Sequence, residues 1–380
     1  MRILADENIP LVREAFAELG HVETMPGRVI TPEAVKDVSM LLVRSITRVN
    51  RALLAGSAVR FVATATIGED HIHKGYLEEQ GIVFASAPGS NADSVGQYMV
   101  SSLFALAERY GFKLEGTSLG IVGVGNVGSR VVKLAAALGM RCVLNDPPLA
   151  RQTGDKEFRP LGEILACDIV TLHVPLTKHG PDATEHLVDA DFLRRVKRGA
   201  ILINTSRGPV ADGKAIQRAL DDGHLKACVL DVWEDEPNVD AGLLERVAIG
   251  TPHIAGYSFD GKVNGTRMIY EAACRFLGRN PTWDPAPLLP KAECPEVTVA
   301  GDTTDPEEAM RRAVFAVYDV RQDDAAMRHL LDVPESKREA EFDRLRKEYP
   351  RRMEFPNTRA RVVPPSTQLE SVLAGLGFAR

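Results

Sequence analysis

The sequence is short of cysteine, of long apolar runs and of excess positive charge, and each shortage excludes something. Five cysteines in 380 residues, Cys142, Cys167, Cys228, Cys274 and Cys294, stand far apart with no Cys-x-x-Cys pair. That is neither a zinc framework nor a disulfide scaffold, and it fits a reducing compartment. The nine histidines form no His-x-x-x-His and none pairs with a cysteine at ligand spacing, so no catalytic metal is expected. No stretch reaches the roughly 18 apolar residues of a membrane span. The start, MRILADENIP, carries no apolar core of a secretory signal. A cytoplasmic protein without a membrane partner is expected. Lys and Arg number 46 against 52 Asp and Glu, a net charge of −6. The chain as a whole therefore has no surplus charge for a nucleic-acid backbone, and no nucleic-acid partner is expected.

What is present is an ordinary globular composition, 44% apolar and 26% charged. At about 100–200 residues per domain the length predicts two or three domains. Composition changes near the end. Of the 31 glycines, 28 lie in residues 1–290 and three in 291–380, whereas 32 of the last 90 residues are charged. The change falls on Pro281, Pro285, Pro287, Pro290 and Pro295, which read as an extended linker. A domain boundary is expected there. Upstream, MRILAD, SMLLVRS, VRFVATAT and GIVFASAP read as strands, with ITPEAVKDV and NRALLAGS as short helices between them. Residues 91–110 read as a long helix, with Val95, Met99, Leu103 and Leu106 at helical spacing. A second series follows: SLGIVGVG, RCVLND, DIVTLHVP, AILINTS, ACVLDVW and AIGTPHIAG as strands, with helices between most of them. Alternating strands and helices predict parallel sheets with right-handed crossovers. Two α/β domains and an α+β tail are expected.

Gly123-Val124-Gly125-Asn126-Val127-Gly128 follows the run Leu119–Val124 and opens a helical pattern. Such a turn lets backbone N–H groups approach a pyrophosphate at a helix N-terminus, where the helix dipole favours negative charge. The next strand ends at Asp146, whose carboxylate suits the ribose hydroxyls and repels a 2′-phosphate. NAD rather than NADP is the expected cofactor. Three further residues follow successive strands: Arg207 in NTSRG, Glu236 in WEDEP and His253 in TPHIAG. Ligands of open α/β sheets bind beyond the carboxyl ends of the strands, so the three can converge there. Oxidising a secondary alcohol needs a base, and histidine titrates near working pH. A carboxylate orients that imidazole. An arginine can grip a substrate carboxylate with forked hydrogen bonds and polarise the forming carbonyl. His173, in TLHVPLT, is the rival base; without a carboxylate near it in sequence, it reads as structural or cofactor-lining.

The glycine motif, HVPLT at 173–177, INTSRG at 203–208, DVWEDEP at 231–237 and TPHIAG at 251–256 together resemble the NAD-dependent D-2-hydroxyacid dehydrogenases. The resemblance covers about residues 1–280. It implies Arg207, Glu236 and His253 as the catalytic set. It also implies two doubly wound α/β domains, a Rossmann NAD domain at 94–256 and a flavodoxin-like substrate domain at 1–93 and 257–285. Residues 286–380 are left as a C-terminal dimerisation domain. The segments LLVRSITRVN, ATATIGEDHI and HIAGYSFDGK resemble the branch that acts on a small phosphorylated 2-hydroxy acid. From that branch come substrate contacts at Ser45, Thr66 and Tyr257 and cofactor contacts at Asp146, Asp231 and Gly256. A phosphorylated acid needs cations, and Arg44 and Arg48 flank Ser45; Lys262 is a weaker candidate. In the tail, Arg344, Lys347, Arg351 and Arg352 are expected to share a helix face. A sharper expectation is that this segment reaches the substrate phosphate in the other subunit of a homodimer. Two other readings keep the same motifs: a dehydrogenase of another 2-hydroxy acid, such as 3-phosphoglycerate, and an NAD-sensing binding protein.

Overall fold

Short, wholly apolar runs become central strands, because only a strand covered on both faces tolerates apolar side chains at every position. The structure, a computed structural model, describes all residues from Met1 to Arg380. Contacts divide them into two compact units, Met1–Ala92 with Ser258–Lys291, and Asp93–Tyr257 with Ala292–Arg380.

The first unit holds a parallel five-stranded sheet: β1 (Arg2–Asp6), β2 (His21–Met25), β3 (Met40–Val43), β4 (Phe61–Thr64) and β5 (Val83–Ala85). Its order, β2-β1-β3-β4-β5, is the flavodoxin-like one, reversing direction between β1 and β3. β3 and β4 are buried throughout. The long helix Phe259–Phe276 covers one face, packing Ile269, Tyr270 and Ala273 with Ile3, Met40 and Phe61. β2 was not expected. HVETM carries polar residues and sits at the sheet edge, so it lacks the apolar signature of its neighbours.

In the second unit a parallel six-stranded sheet runs β11-β10-β9-β8-β6-β7. Its strands are β6 (Ser118–Val122), β7 (Arg141–Asn145), β8 (Ile169–Leu172), β9 (Ala200–Asn204), β10 (Leu225–Leu230) and β11 (Ile249–Gly250). The order reverses between β6 and β8, which places the ligand-binding crevice of such a sheet beyond those two strands. The helix Ala92–Tyr110 buries Tyr98, Leu103, Phe104 and Leu106 in a core shared with Val299, Ala313, Val314, Phe355 and Leu373 of the tail.

The tail departs from the α+β expectation. Its strands β12 (Glu296–Ala300) and β13 (Arg359–Val363) pair in parallel, an α/β arrangement. The helices Pro306–Val317, Val320–Arg328 and Glu335–Lys347 lie between them, and a parallel pair requires such a crossover. The expected face of Arg344, Lys347, Arg351 and Arg352 is also broken. The helix ends at Lys347, ahead of Pro350, and Arg352 turns inward to be buried.

Candidate active site

β9, β10 and β11 are neighbours in register, with Asn204 opposite Leu230 and Leu230 opposite Gly250. Arg207, Glu236 and His253 therefore leave one edge of one sheet, from adjacent strands. Gly208 keeps the first two loops in contact. A Cβ there would lie 1.8 Å from the Trp233 carbonyl oxygen, so only glycine fits between them. Arg207 donates through Nη1 to the Ser206 carbonyl at 2.8 Å, and Asn204 caps the turn by donating to the Arg207 carbonyl.

Glu236 and His253 are brought into direct contact, Oε1 to Nδ1 at 2.5 Å. A carboxylate accepts only, so Nδ1 carries the proton and Nε2 is left as the basic nitrogen. The second Glu236 oxygen accepts from the Trp233 N–H. Burial pushes the Glu236 carboxyl up, but the His253 charge, the His253 hydrogen bond, Arg346 and Trp233 outweigh it and leave it lowered. His253 sits at φ 58°, in the left-handed region that non-glycine residues enter at a cost of about 1–2 kcal/mol. Asp231 supplies the restraint. Its buried carboxylate accepts from Thr251 Oγ1 and the Ile254 N–H, both at 2.7 Å, and from the Ala255 N–H at 3.0 Å. The His253 N–H reaches the Asp231 carbonyl at 2.7 Å. Burial pushes the Asp231 carboxyl up despite the nearby His253 and these bonds.

At β6 the glycine turn opens the helix Asn126–Ala137, whose start has no side-chain cap. Gly123 has φ 87°, and a Cβ there would meet the His173 carbonyl at 2.6 Å. A Cβ at Gly128 would lie 2.0 Å from the Gly123 carbonyl oxygen, so this glycine permits the close approach of helix and strand. At Gly125 a Cβ would meet nothing within 4 Å. The uncapped amides of Asn126 and Val127 and the open space beside Gly125 fit a pyrophosphate. Asp146 accepts from the Val124 N–H and the Leu149 N–H, both at 2.9 Å, through different oxygens. Each oxygen keeps a lone pair for a ribose hydroxyl.

His173 is engaged elsewhere. Its Nε2 lies 3.0 Å from Thr171 Oγ1 and its Nδ1 3.3 Å from Thr205 Oγ1, and burial lowers its pKa to about 3. Among the residues expected at the substrate, Ser45 and Arg44 follow β3, and Thr66 follows the adjacent β4, all in the first unit. Ser45 is exposed, Arg44 donates to the Asn8 carbonyl, and Thr66 shares a hydrogen bond with Thr64. Gly256 and Tyr257 continue the His253 loop in the second unit.

Sequence reasoning did not foresee how the tail buttresses this loop. Arg352 donates through Nη2 to the Ala255 carbonyl at 2.7 Å and to Ser94 Oγ at 2.7 Å. Tyr349 meets the Tyr257 ring edge-on at 5.9 Å and donates to Asp323, as does Tyr318. Arg346 donates to the Tyr257 hydroxyl of its own chain at 3.1 Å. The arginine-rich segment thus meets the His253 loop of its own chain. Thr251, which ties Tyr98 to Asp231, was also missed.

Residues 92–255 match the family described as D-isomer specific 2-hydroxyacid dehydrogenase, NAD binding domain, and residues 288–377 match a domain of unknown function. An erythronate-4-phosphate dehydrogenase of Klebsiella pneumoniae is 45% identical over 379 residues, covering 100% of this chain and 98% of its own. One of Cronobacter sakazakii is 48% identical over 356 residues, covering 93% and 92%. Among solved structures, a Thermus thermophilus protein superposes with a TM-score of 0.64 at 28% identity, covering 74% of this chain and 98% of its own. A glyoxylate reductase of Paecilomyes thermophila gives 0.61 at 25% identity, covering 76% and 99%. No helix is long and apolar enough to cross a membrane. Likeness along the whole length, together with an NAD-binding domain, places the chain in the D-isomer-specific 2-hydroxyacid dehydrogenase family, and within it the chain belongs to the erythronate-4-phosphate dehydrogenases.

Proposed function

We propose that the protein oxidises 4-phospho-D-erythronate to 3-hydroxy-2-oxo-4-phosphooxybutanoate with NAD, a step on a route to pyridoxal 5′-phosphate. The observation that carries this reading is the likeness over the full chain, tail included, to relatives named for that substrate. The Glu236–His253 pair supplies the matching chemistry. His253 Nε2 takes the proton of the 2-hydroxyl, and Glu236 stabilises the imidazolium that results. Arg207 holds the substrate carboxylate and steadies the growing carbonyl. When bound, NAD supplies the acceptor for the hydride leaving the same carbon. Gly123, Gly125, Asn126, Val127 and Gly128 would hold its pyrophosphate, Asp146 a ribose, and Asp231 with Gly256 the nicotinamide end. Ser45, Thr66, Arg44 and Tyr257 are assigned to the substrate.

The division into a substrate domain at 1–93 and 257–285, an NAD domain at 94–256 and a C-terminal domain at 286–380 belongs to the same reading. So does a homodimer formed through the C-terminal domain. A cytoplasmic location is supported by five free cysteines. The test is NADH formation with a panel of 4-phospho-D-erythronate, D-3-phosphoglycerate and D-lactate. Preference for the first by at least about 100-fold in kcat/KM is expected, a discrimination of about 2.7 kcal/mol. Preference for either of the others, or no turnover, refutes the assignment.

A further inference from the structure

Arg346 is an unusual residue for the helix Glu335–Lys347. Its neighbour Arg344 lies exposed and paired with Glu341 and Glu348. Arg346 instead turns inward. Its Nη2 donates to the Tyr257 hydroxyl at 3.1 Å, and its guanidinium lies 5.8 Å from the Tyr257 ring and 5.9 Å from the Phe342 ring. Its Nε is buried without a hydrogen-bond partner. A guanidinium in such surroundings stays charged, and a buried donor without an acceptor is costly. Burial works against the charge here, but Tyr257, Glu236 and Asp231 more than restore it. Those three residues also fix its address. Tyr257 lies four residues beyond His253, and Glu236 is the partner of His253.

A strong forked donor is thus left incompletely satisfied beside the catalytic pair. It is contributed by a module outside the matched NAD-binding domain. The solved glyoxylate reductase, whose named substrate carries no phosphate, covers 99% of its own length on 76% of this chain. The planar guanidinium can donate two parallel N–H bonds to two oxygens of a phosphate.

We propose that Arg346 is a specificity-determining residue that binds the phosphate of the substrate, so that the C-terminal module completes the active site of its own subunit. The proposal rests on the substrate reading above. It gives the module a second task and accounts for a half-buried arginine without a carboxylate partner: the ligand brings the anion.

The test compares wild type with Arg346→Met, Arg346→Lys and the exposed control Arg344→Met. Each is assayed on 4-phospho-D-erythronate and on D-erythronate, with inorganic phosphate as a competitive inhibitor. Arg346→Met is expected to lower the preference for the phosphorylated acid by about 10–100-fold, mainly through KM, and to weaken inhibition by phosphate. Arg346→Lys, which keeps the charge but loses the fork, is expected to fall between Arg346→Met and wild type and remains informative if the methionine variant does not fold. Arg344→Met is expected to retain the wild-type preference. The proposal is overturned if the Arg346 variants keep the preference within about three-fold. It is also overturned if both acids lose kcat equally with a displaced pH profile, which would place Arg346 behind Glu236 instead. A wild type that prefers the unphosphorylated acid refutes the substrate reading itself, whereas preference kept by both wild type and variants refutes only the role of Arg346.

Discussion

The deepest prediction concerns His173, the residue that competes with His253 for the role of base. Both its ring nitrogens are engaged by threonines, and burial lowers its pKa to about 3. In the unfolded chain an ordinary histidine titrates near 6.5. The folded form therefore resists a proton that the unfolded form accepts. The stability this contributes is present in full above about pH 6.5 and is lost as pH falls from there toward 3. Between about pH 6.5 and about pH 5 the loss is about 1.5 units at roughly 1.4 kcal/mol each, or about 2 kcal/mol. His173→Gln keeps a polar amide and removes the titration. The assay is urea unfolding at about pH 7.5 and about pH 5, followed by the fluorescence of Trp233 in a Trp283→Phe background. Trp233 lies in the same unit as His173. His71, lowered chiefly by burial, and His186, raised by its bond to Glu234, titrate in both proteins and cancel in the comparison. Wild type should lose about 2 kcal/mol more than the variant on acidification. Equal losses would refute the reasoning and return His173 to candidacy as a base.

Two further perturbations probe the site. Glu236→Gln replaces the carboxylate 2.5 Å from His253 Nδ1 and should lower kcat about 10–100-fold, with NAD affinity retained, as read by stopped-flow turnover and nucleotide fluorescence titration. At the glycine turn, a Cβ at Gly125 meets no protein atom within 4 Å, and Gly125→Val should raise the Kd for NAD at least about ten-fold with little change in Tm. Gly128→Ala drives a Cβ into the Gly123 carbonyl and should lower the Tm by several degrees, since overpacking costs about 1–3 kcal/mol.

Much of this arrangement is legible in the sequence because chemistry and position coincide along the chain. β3, β4 and β9 announce themselves as apolar runs, broken only by Thr64 and Asn204 at their ends, because both faces are covered. Arg207, Glu236 and His253 follow three strands that prove adjacent, so their order alone suggests convergence. β2 escapes notice because an edge strand can keep polar residues. The parallel pairing of β12 with β13 is equally hidden, since a strand does not reveal its partner's direction. In sequence Arg352 reads as one of a charged helix face, and nothing local sets Arg346 apart from its charged neighbours. What distinguishes them is contact with Tyr257 and Ala255, 89 and 97 residues away, and no local pattern encodes that distance. Asp231 is similar: its bonds to Thr251, Ile254 and Ala255 exist only once β10 and β11 lie side by side.

The most direct measurement is the steady-state oxidation of 4-phospho-D-erythronate by wild type and His253→Ala, alongside NAD affinity for each. The predicted result is a fall in kcat of at least about 1,000-fold with NAD Kd within about three-fold, as expected when a general base is removed from an intact cofactor site. A His253→Ala enzyme that retains turnover within about ten-fold of wild type would contradict the assignment of His253, held by Glu236, as the group that takes the substrate's proton.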